Sequence, residues 1–140
     1  MSIQFQLLPL FVQVILTLLV LYTLAGRRFF AVQRGQLTGP VALREPNWPE
    51  RTRQAEYNYQ NQFELPVLFY VLTILAIYTR HADLLFVLLS WVFVALRVLH
   101  AGVHLTSNRL VLRGPSFIAS AIVLTIMWII FIVRIMLGLP

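Results

Sequence analysis

Two short stretches of this sequence carry polar chemistry into apolar surroundings. Asn58-Tyr59-Gln60-Asn61-Gln62-Phe63-Glu64-Leu65-Pro66 runs from amides into a hydrophobic segment and takes a glutamate with it. Arg97-Val98-Leu99-His100-Ala101-Gly102-Val103-His104 sets a guanidinium and two imidazoles in an equally apolar neighbourhood. An ionisable side chain inside a membrane segment costs a few kcal/mol unless it faces the protein interior and has a partner, so by default it marks a functional site. The opposite charges of Glu64 and Arg97 make each stretch the natural partner of the other. On a helix, Arg53, Tyr57, Asn61 and Glu64 fall on one stripe, and Arg97, His100 and His104 share one face. Two such walls brought together would recognise a small anion. The plainer alternative is an interhelical ion pair that only fixes packing.

The elements that must position these walls are membrane helices. Of 140 residues, 59% are hydrophobic and the mean hydropathy is +0.80, well above an ordinary soluble domain. The chain has no cysteine, which excludes disulfides, thiolate metal sites and a cysteine nucleophile, so any thiol comes from a ligand. All eleven cationic side chains are arginine, in a net charge of +6. The arginine fork grips carboxylates in bidentate fashion, which suits small-anion recognition; biased usage and interfacial anchoring are the alternative. Nucleic acid is not an expected partner, because the arginines are scattered at membrane borders with no polybasic run.

Four apolar segments predict a single all-α domain with helices near 3–26, 49–80, 83–105 and 114–138. The first ends at the basic pair Arg27-Arg28, which reads as a stop rather than a signal-peptide cleavage site. The polar loop 27–48 has room for a lid or a ligand-binding turn. Asn47-Trp48-Pro49-Glu50 predicts a helix start, with Asn47 as N-cap and Glu50 closing a capping box. Pro66 predicts a kink in the second helix. Asp83 is the expected cap of the third, on which Arg97 lies roughly 20 Å along at about 1.5 Å per residue. In the fourth, Ser116 and Ser120 read as packing or backbone-bonded hydroxyls, and Arg134 as a snorkelling side chain.

Arginine counts predict the orientation. Arg27, Arg28, Arg34, Arg44, Arg51 and Arg53 in or beside the first loop, with Arg109 and Arg113 in the third, outweigh Arg80 in the second and Arg134 at the tail. The positive-inside rule makes the first and third loops cytoplasmic and both termini non-cytoplasmic. The Glu64 and Arg97 stretches then lie at the same membrane face.

Asn61-x-x-Glu64-Leu65-Pro66 in the second helix and Arg97-x-x-His100-x-x-x-His104 in the third, followed by Arg109 and Arg113, resemble the two signatures of the MAPEG family (membrane-associated proteins in eicosanoid and glutathione metabolism). The similarity extends over nearly the whole chain and suggests a bacterial-type member. It implies a MAPEG-like four-helix bundle assembled as a homotrimer in the bacterial inner membrane, with glutathione bound at the cytoplasmic side between subunits. By position, Asn61 and Glu64 would bind the peptide's polar groups, with Glu64 on its amino group. Arg97, His100 and His104 would form the facing wall, Arg28 would reach a carboxylate, Arg53 and Arg109 would add binding charge, and Arg113 would sit beside the thiol. His104 stands where the family has a tyrosine, and Tyr57-Asn58-Tyr59-Gln60 where relatives often carry Arg-Ala-His.

The resemblance implies a glutathione-dependent transferase, peroxidase or isomerase acting on a lipophilic small molecule held in a lipid-facing groove. Thiolate is the nucleophile, and a nearby arginine favours the thiolate. A second possibility is a non-catalytic member that binds a lipid or a partner protein. A proton-coupled exporter fits less well, since it wants a midplane carboxylate with few fixed cations near it. Haem ligation fits poorly, because His100 and His104 share one helix and His81 lies at the opposite face.

Overall fold

A chain segment without charge before Arg27 forms the first helix, α1 (Ile3–Gln33). The computed structural model describes residues 1–36, 48–107 and 110–140, with residues 110–112 described by their backbone alone. Its further helices are α2 (Glu50–Asn61), α3 (Leu65–Tyr78), α4 (Leu84–Leu105) and α5 (Leu110–Met136). Four stretches are long and apolar enough to cross a membrane: α1, α2 with α3, α4, and α5 from Arg113. The chain is a multi-pass integral membrane protein.

Three boundaries differ from the sequence expectation. At 31 residues α1 is about 46 Å long, against roughly 30 Å of hydrocarbon, so it carries Arg27 and Arg28 beyond the end expected near 26. A glycine inside a helix costs only about 1 kcal/mol, so Gly26 does not stop it. Gly35 does: it takes φ 63°, Gln36 N–H returns to the Ala31 carbonyl at 3.0 Å and Gly35 N–H to Val32 at 3.2 Å, a Schellman closure. The second expected helix is two. Pro66 has no N–H, and its ring crowds the carbonyl four residues back, that of Gln62. Instead of a kink there is a break, spanned by tight turns from Gln62 N–H to Tyr59 at 3.1 Å, Phe63 to Gln60 at 3.0 Å and Glu64 to Asn61 at 3.4 Å. Finally, α5 begins at Leu110, so Pro115 lies inside it rather than in a first turn. The Asn47 cap and the possible lid at 37–47 fall outside the described residues.

The bundle is held differently at its two ends. In the middle, Phe69, Leu72 and Ala76 of α3 meet Phe86, Phe93 and Val94 of α4 and Leu124 and Met127 of α5, with the Phe69 and Phe93 rings stacked at 4.8 Å. Phe86, Ser90, Phe93, Arg97, His100 and His104 form one buried stripe along α4, spaced alternately four and three apart. The stripe is apolar toward one membrane face and basic toward the other.

At the apolar-stripe end the turn before α4 is tied down from several directions. Asp83 accepts the Phe86 N–H at 3.0 Å, the expected cap. Arg134 does not snorkel: its Nη2 lies 2.8 Å from Asp83 Oδ2. Gln6 Nε2 donates to the Ala82 carbonyl at 2.7 Å, and His81 Nε2 donates to the Leu139 carbonyl at 2.8 Å. Burial alone would raise the Asp83 carboxyl, but the Arg134 hydrogen bond, the Phe86 N–H and the Arg134 charge outweigh it and hold the group below its ordinary value. A carboxyl depressed in the folded state adds stability above its unfolded pKa, and that stability is lost as pH falls through the folded one. The thermal midpoint in detergent is therefore expected to fall as pH drops below about 4, and Asp83→Asn to flatten that fall. An equal fall in Asp83→Asn would assign it to another carboxylate.

Candidate functional site

The basic end of the α4 stripe meets the broken helix. Arg97 is fully buried, and its Nη2 donates to the Asn61 carbonyl at 3.1 Å. That carbonyl is available because the break intervenes: it meets the Glu64 N–H at a long 3.4 Å instead of continuing a regular α-helix. The guanidinium also lies over the Phe117 ring, 5.8 Å from its centroid. Its Nε and Nη1 are buried with no hydrogen-bond partner. Glu64 supplies the opposite charge acting on Arg97, but from beyond contact. Among the described residues the contact ion pairs are Arg28–Glu56 and Arg134–Asp83.

The geometry fixes the proton on His100. Its Nδ1 lies 3.1 Å from the Arg113 carbonyl, which can only accept, so Nδ1 carries the hydrogen. Nε2 is left as an acceptor and faces the Asn61 amide nitrogen at 3.5 Å. The His104 ring lies 5.8 Å from that of His100, and its Nδ1 is buried without a partner. In α5 the Ser116 hydroxyl returns to the Arg113 carbonyl and that of Ser120 to Phe117, the backbone-bonded role expected of both.

These groups surround a cleft of about 350 Å³ that opens to the outside. Tyr57 and Asn61 wall it from α2, His100 and His104 from α4, and Arg113, Gly114 and Phe117 from α5. The volume is that of a small-molecule site. Arg97 lies beneath the wall, touching Asn61 and Phe117. An anion in the cleft would have Arg113 at its side and a buried cation below.

Five of the residues singled out by the sequence, Asn61, Arg97, His100, His104 and Arg113, are thus brought together. Others are not. Arg28 is held by Glu56 at 3.3 Å and lies over the Trp48 ring at 5.5 Å, so the carboxylate it reaches is the chain's own. Arg53 is exposed and does not line the cleft. Glu64 is exposed too, because the break takes it off the stripe that Tyr57 and Asn61 share. Arg109 lies outside the described residues. The sequence reading missed the inward face of α2, which is Thr52, Ala55 and Asn58 and continues to Gln62; their spacing of three, three and four was the available signal. It also missed Arg27, which donates to the Arg51 carbonyl at 2.8 Å and to the Leu105 carbonyl at the end of α4 at 3.1 Å.

The sequence profile of the MAPEG family matches residues 6–133, nearly the whole chain. No curated protein and no solved structure matches it. With four membrane-spanning segments and a basic cleft built where the two sequence signatures meet, the chain belongs to the MAPEG family, membrane proteins associated with eicosanoid and glutathione metabolism.

Proposed function

We propose that the cleft binds glutathione and that the protein is a glutathione-dependent membrane transferase or peroxidase acting on a lipophilic electrophile. The observation that carries this reading is a fully buried cation beneath the cleft wall, Arg97, with two N–H groups unpartnered. Glutathione fits that donor set, since it brings two carboxylates to a cleft with one guanidinium on its wall and another beneath it. Buried donors left without acceptors are costly, and a ligand carboxylate would relieve that cost.

Glutathione supplies the thiol sulfur as nucleophile. The chain's own residues do the rest. Arg113 favours the thiolate by its charge, and the open mouth lets the displaced proton leave to water. Asn61, fixed through its carbonyl by Arg97, orients the peptide, with His100 as a neutral acceptor beside it. Glu64 lies outside the cleft of its own chain, a placement suited to a homotrimer in which the site lies at a subunit boundary. In that arrangement the arginine-rich face is cytoplasmic and the electrophile enters from the bilayer.

A second reading, a non-catalytic member that binds a lipid or a partner protein, is favoured by Arg28. The cation assigned to a ligand carboxylate is already engaged by Glu56.

Calorimetric titration of the detergent-solubilised protein with glutathione separates the two. The transferase reading expects saturable heat, and an absence of heat supports the scaffold reading. Arg113→Met is expected to lower turnover of a chloronitrobenzene electrophile about 10–100-fold at neutral pH, with a much smaller change in KM and loss of the ultraviolet thiolate band. An unchanged rate would remove Arg113 from the chemistry. Arg97→Met is expected to leave the unfolding midpoint unchanged or higher, because an apolar chain replaces an incompletely satisfied cation. It should also weaken glutathione binding by about tenfold or more. Loss of the folded protein in Arg97→Met would instead make Arg97 a packing element.

A further inference from the structure

Three amides lie at the centre of a helix bundle whose packing requires none. Gln13, in the first half of α1, is 0% exposed, Asn58 is 0% and Gln62 is 1%. They are joined head to tail. Gln13 Nε2 donates to Gln62 Oε1 at 2.9 Å, Gln62 Nε2 to Asn58 Oδ1 at 3.1 Å, and Asn58 Nδ2 to the Ala101 carbonyl at 3.1 Å. The line runs from α1 through the junction of α2 and α3 into α4, where it arrives one residue from His100. Gln62 and Asn58 each donate with the nitrogen and accept with the oxygen, so each bond orients the next, while Gln13 Oε1 at the start of the line is buried without a partner.

The line crosses the junction where the main-chain ladder is interrupted. Between Asn61 and Leu65 the helical ladder is replaced by tight-turn bonds of 3.0–3.4 Å, and Pro66 has no N–H to return to the Gln62 carbonyl. Asn61, the last residue of α2, is held by the helix on one side only, and it is the residue whose carbonyl holds Arg97 and whose amide faces His100. Its neighbour Gln62 is clamped between Gln13 and Asn58. We propose that Gln13, Gln62 and Asn58 are positioning residues, a relay that holds the helix break in the conformation presenting Asn61 to Arg97 and His100. Its consequence for ligand binding rests on the glutathione reading above; its consequence for His100 does not. Gln13 is the informative member, since its hydrogen bonds reach no residue of the cleft.

The chain has three histidines, so the imidazole nitrogens of the full-length, ¹⁵N-histidine-labelled protein in detergent can be followed one by one. Without ligand, Gln13→Met is expected to shift the His100 Nε2 resonance and leave His81 in place. Glutathione affinity should then fall about 3–10-fold, the scale of one displaced hydrogen bond. Adding Gln62→Met to Gln13→Met should change little more, because the two act in series. If Gln13→Met does not fold, Gln13→Asn keeps an amide in the span but is one methylene too short to reach Gln62. An unmoved His100 signal in a folded variant overturns the relay. So does a moved signal with unchanged affinity in a protein that binds glutathione. A moved signal in a protein whose wild type binds no glutathione supports the relay and removes the glutathione reading instead.

Discussion

A guanidinium without solvent contact inside a membrane bundle has to find acceptors within the protein, and Arg97 finds a backbone carbonyl. Interior carbonyls of a regular helix already accept one bond from four residues on and have only a second lone pair to offer. The break between α2 and α3 supplies the acceptor. Pro66 cannot return an N–H to Gln62, the helix breaks ahead of it, and the Asn61 carbonyl at the break, met by the Glu64 N–H at a long 3.4 Å, anchors Arg97 against the face of Phe117. Helix break, buried cation and cleft wall thus meet at one residue, Asn61.

The two ends of the bundle show what that arrangement costs. At the Asp83 end, cap, ion pair and tail contact satisfy one another. At the Arg97 end, Nε and Nη1 of Arg97 and Nδ1 of His104 are buried and unpartnered, three of the six such atoms among the described residues; the others are Gln13 Oε1, Arg28 Nε and Trp128 Nε1. Buried polar groups in folded proteins are nearly all hydrogen-bonded, so three exceptions beside one cleft mark the end of the bundle where packing leaves polar groups incompletely satisfied.

Much of this was legible in the sequence because apolar length and charge survive any packing arrangement. The four spans, the Asp83 cap and the shared face of Arg97, His100 and His104 depend only on periodicity and local chemistry. The misreadings concern choices between partners. The segment expected as one kinked helix over 49–80 crosses as one span but is interrupted between Asn61 and Leu65, because a proline allows either a kink or a break and sequence alone does not choose between them. Arg134 and Arg28 were read as reaching an interface or a ligand, whereas Asp83 and Glu56 hold them, acids far away in the chain. Nothing in the sequence around Gln13 names its partner, which is 49 residues away and visible only once the helices are packed.

The absence of lysine acquires a structural cause from these contacts. Arg27 bridges two carbonyls from separate elements, Arg51 and Leu105, which one ammonium on a flexible stem does poorly. Arg28 pairs with Glu56 while its plane lies over Trp48, Arg34 lies over Phe30, and Arg97 bonds Asn61 while lying over Phe117. Each of these uses the flat face or the several fixed N–H directions of guanidinium, and Arg28 and Arg97 use both. Arg97 is the strictest case, since a weakly hydrated planar cation can be stripped of water between a carbonyl and a ring where a strongly hydrated ammonium would not go. The cation beneath the cleft is therefore one of the same set of planar contacts that closes the basic end of the bundle.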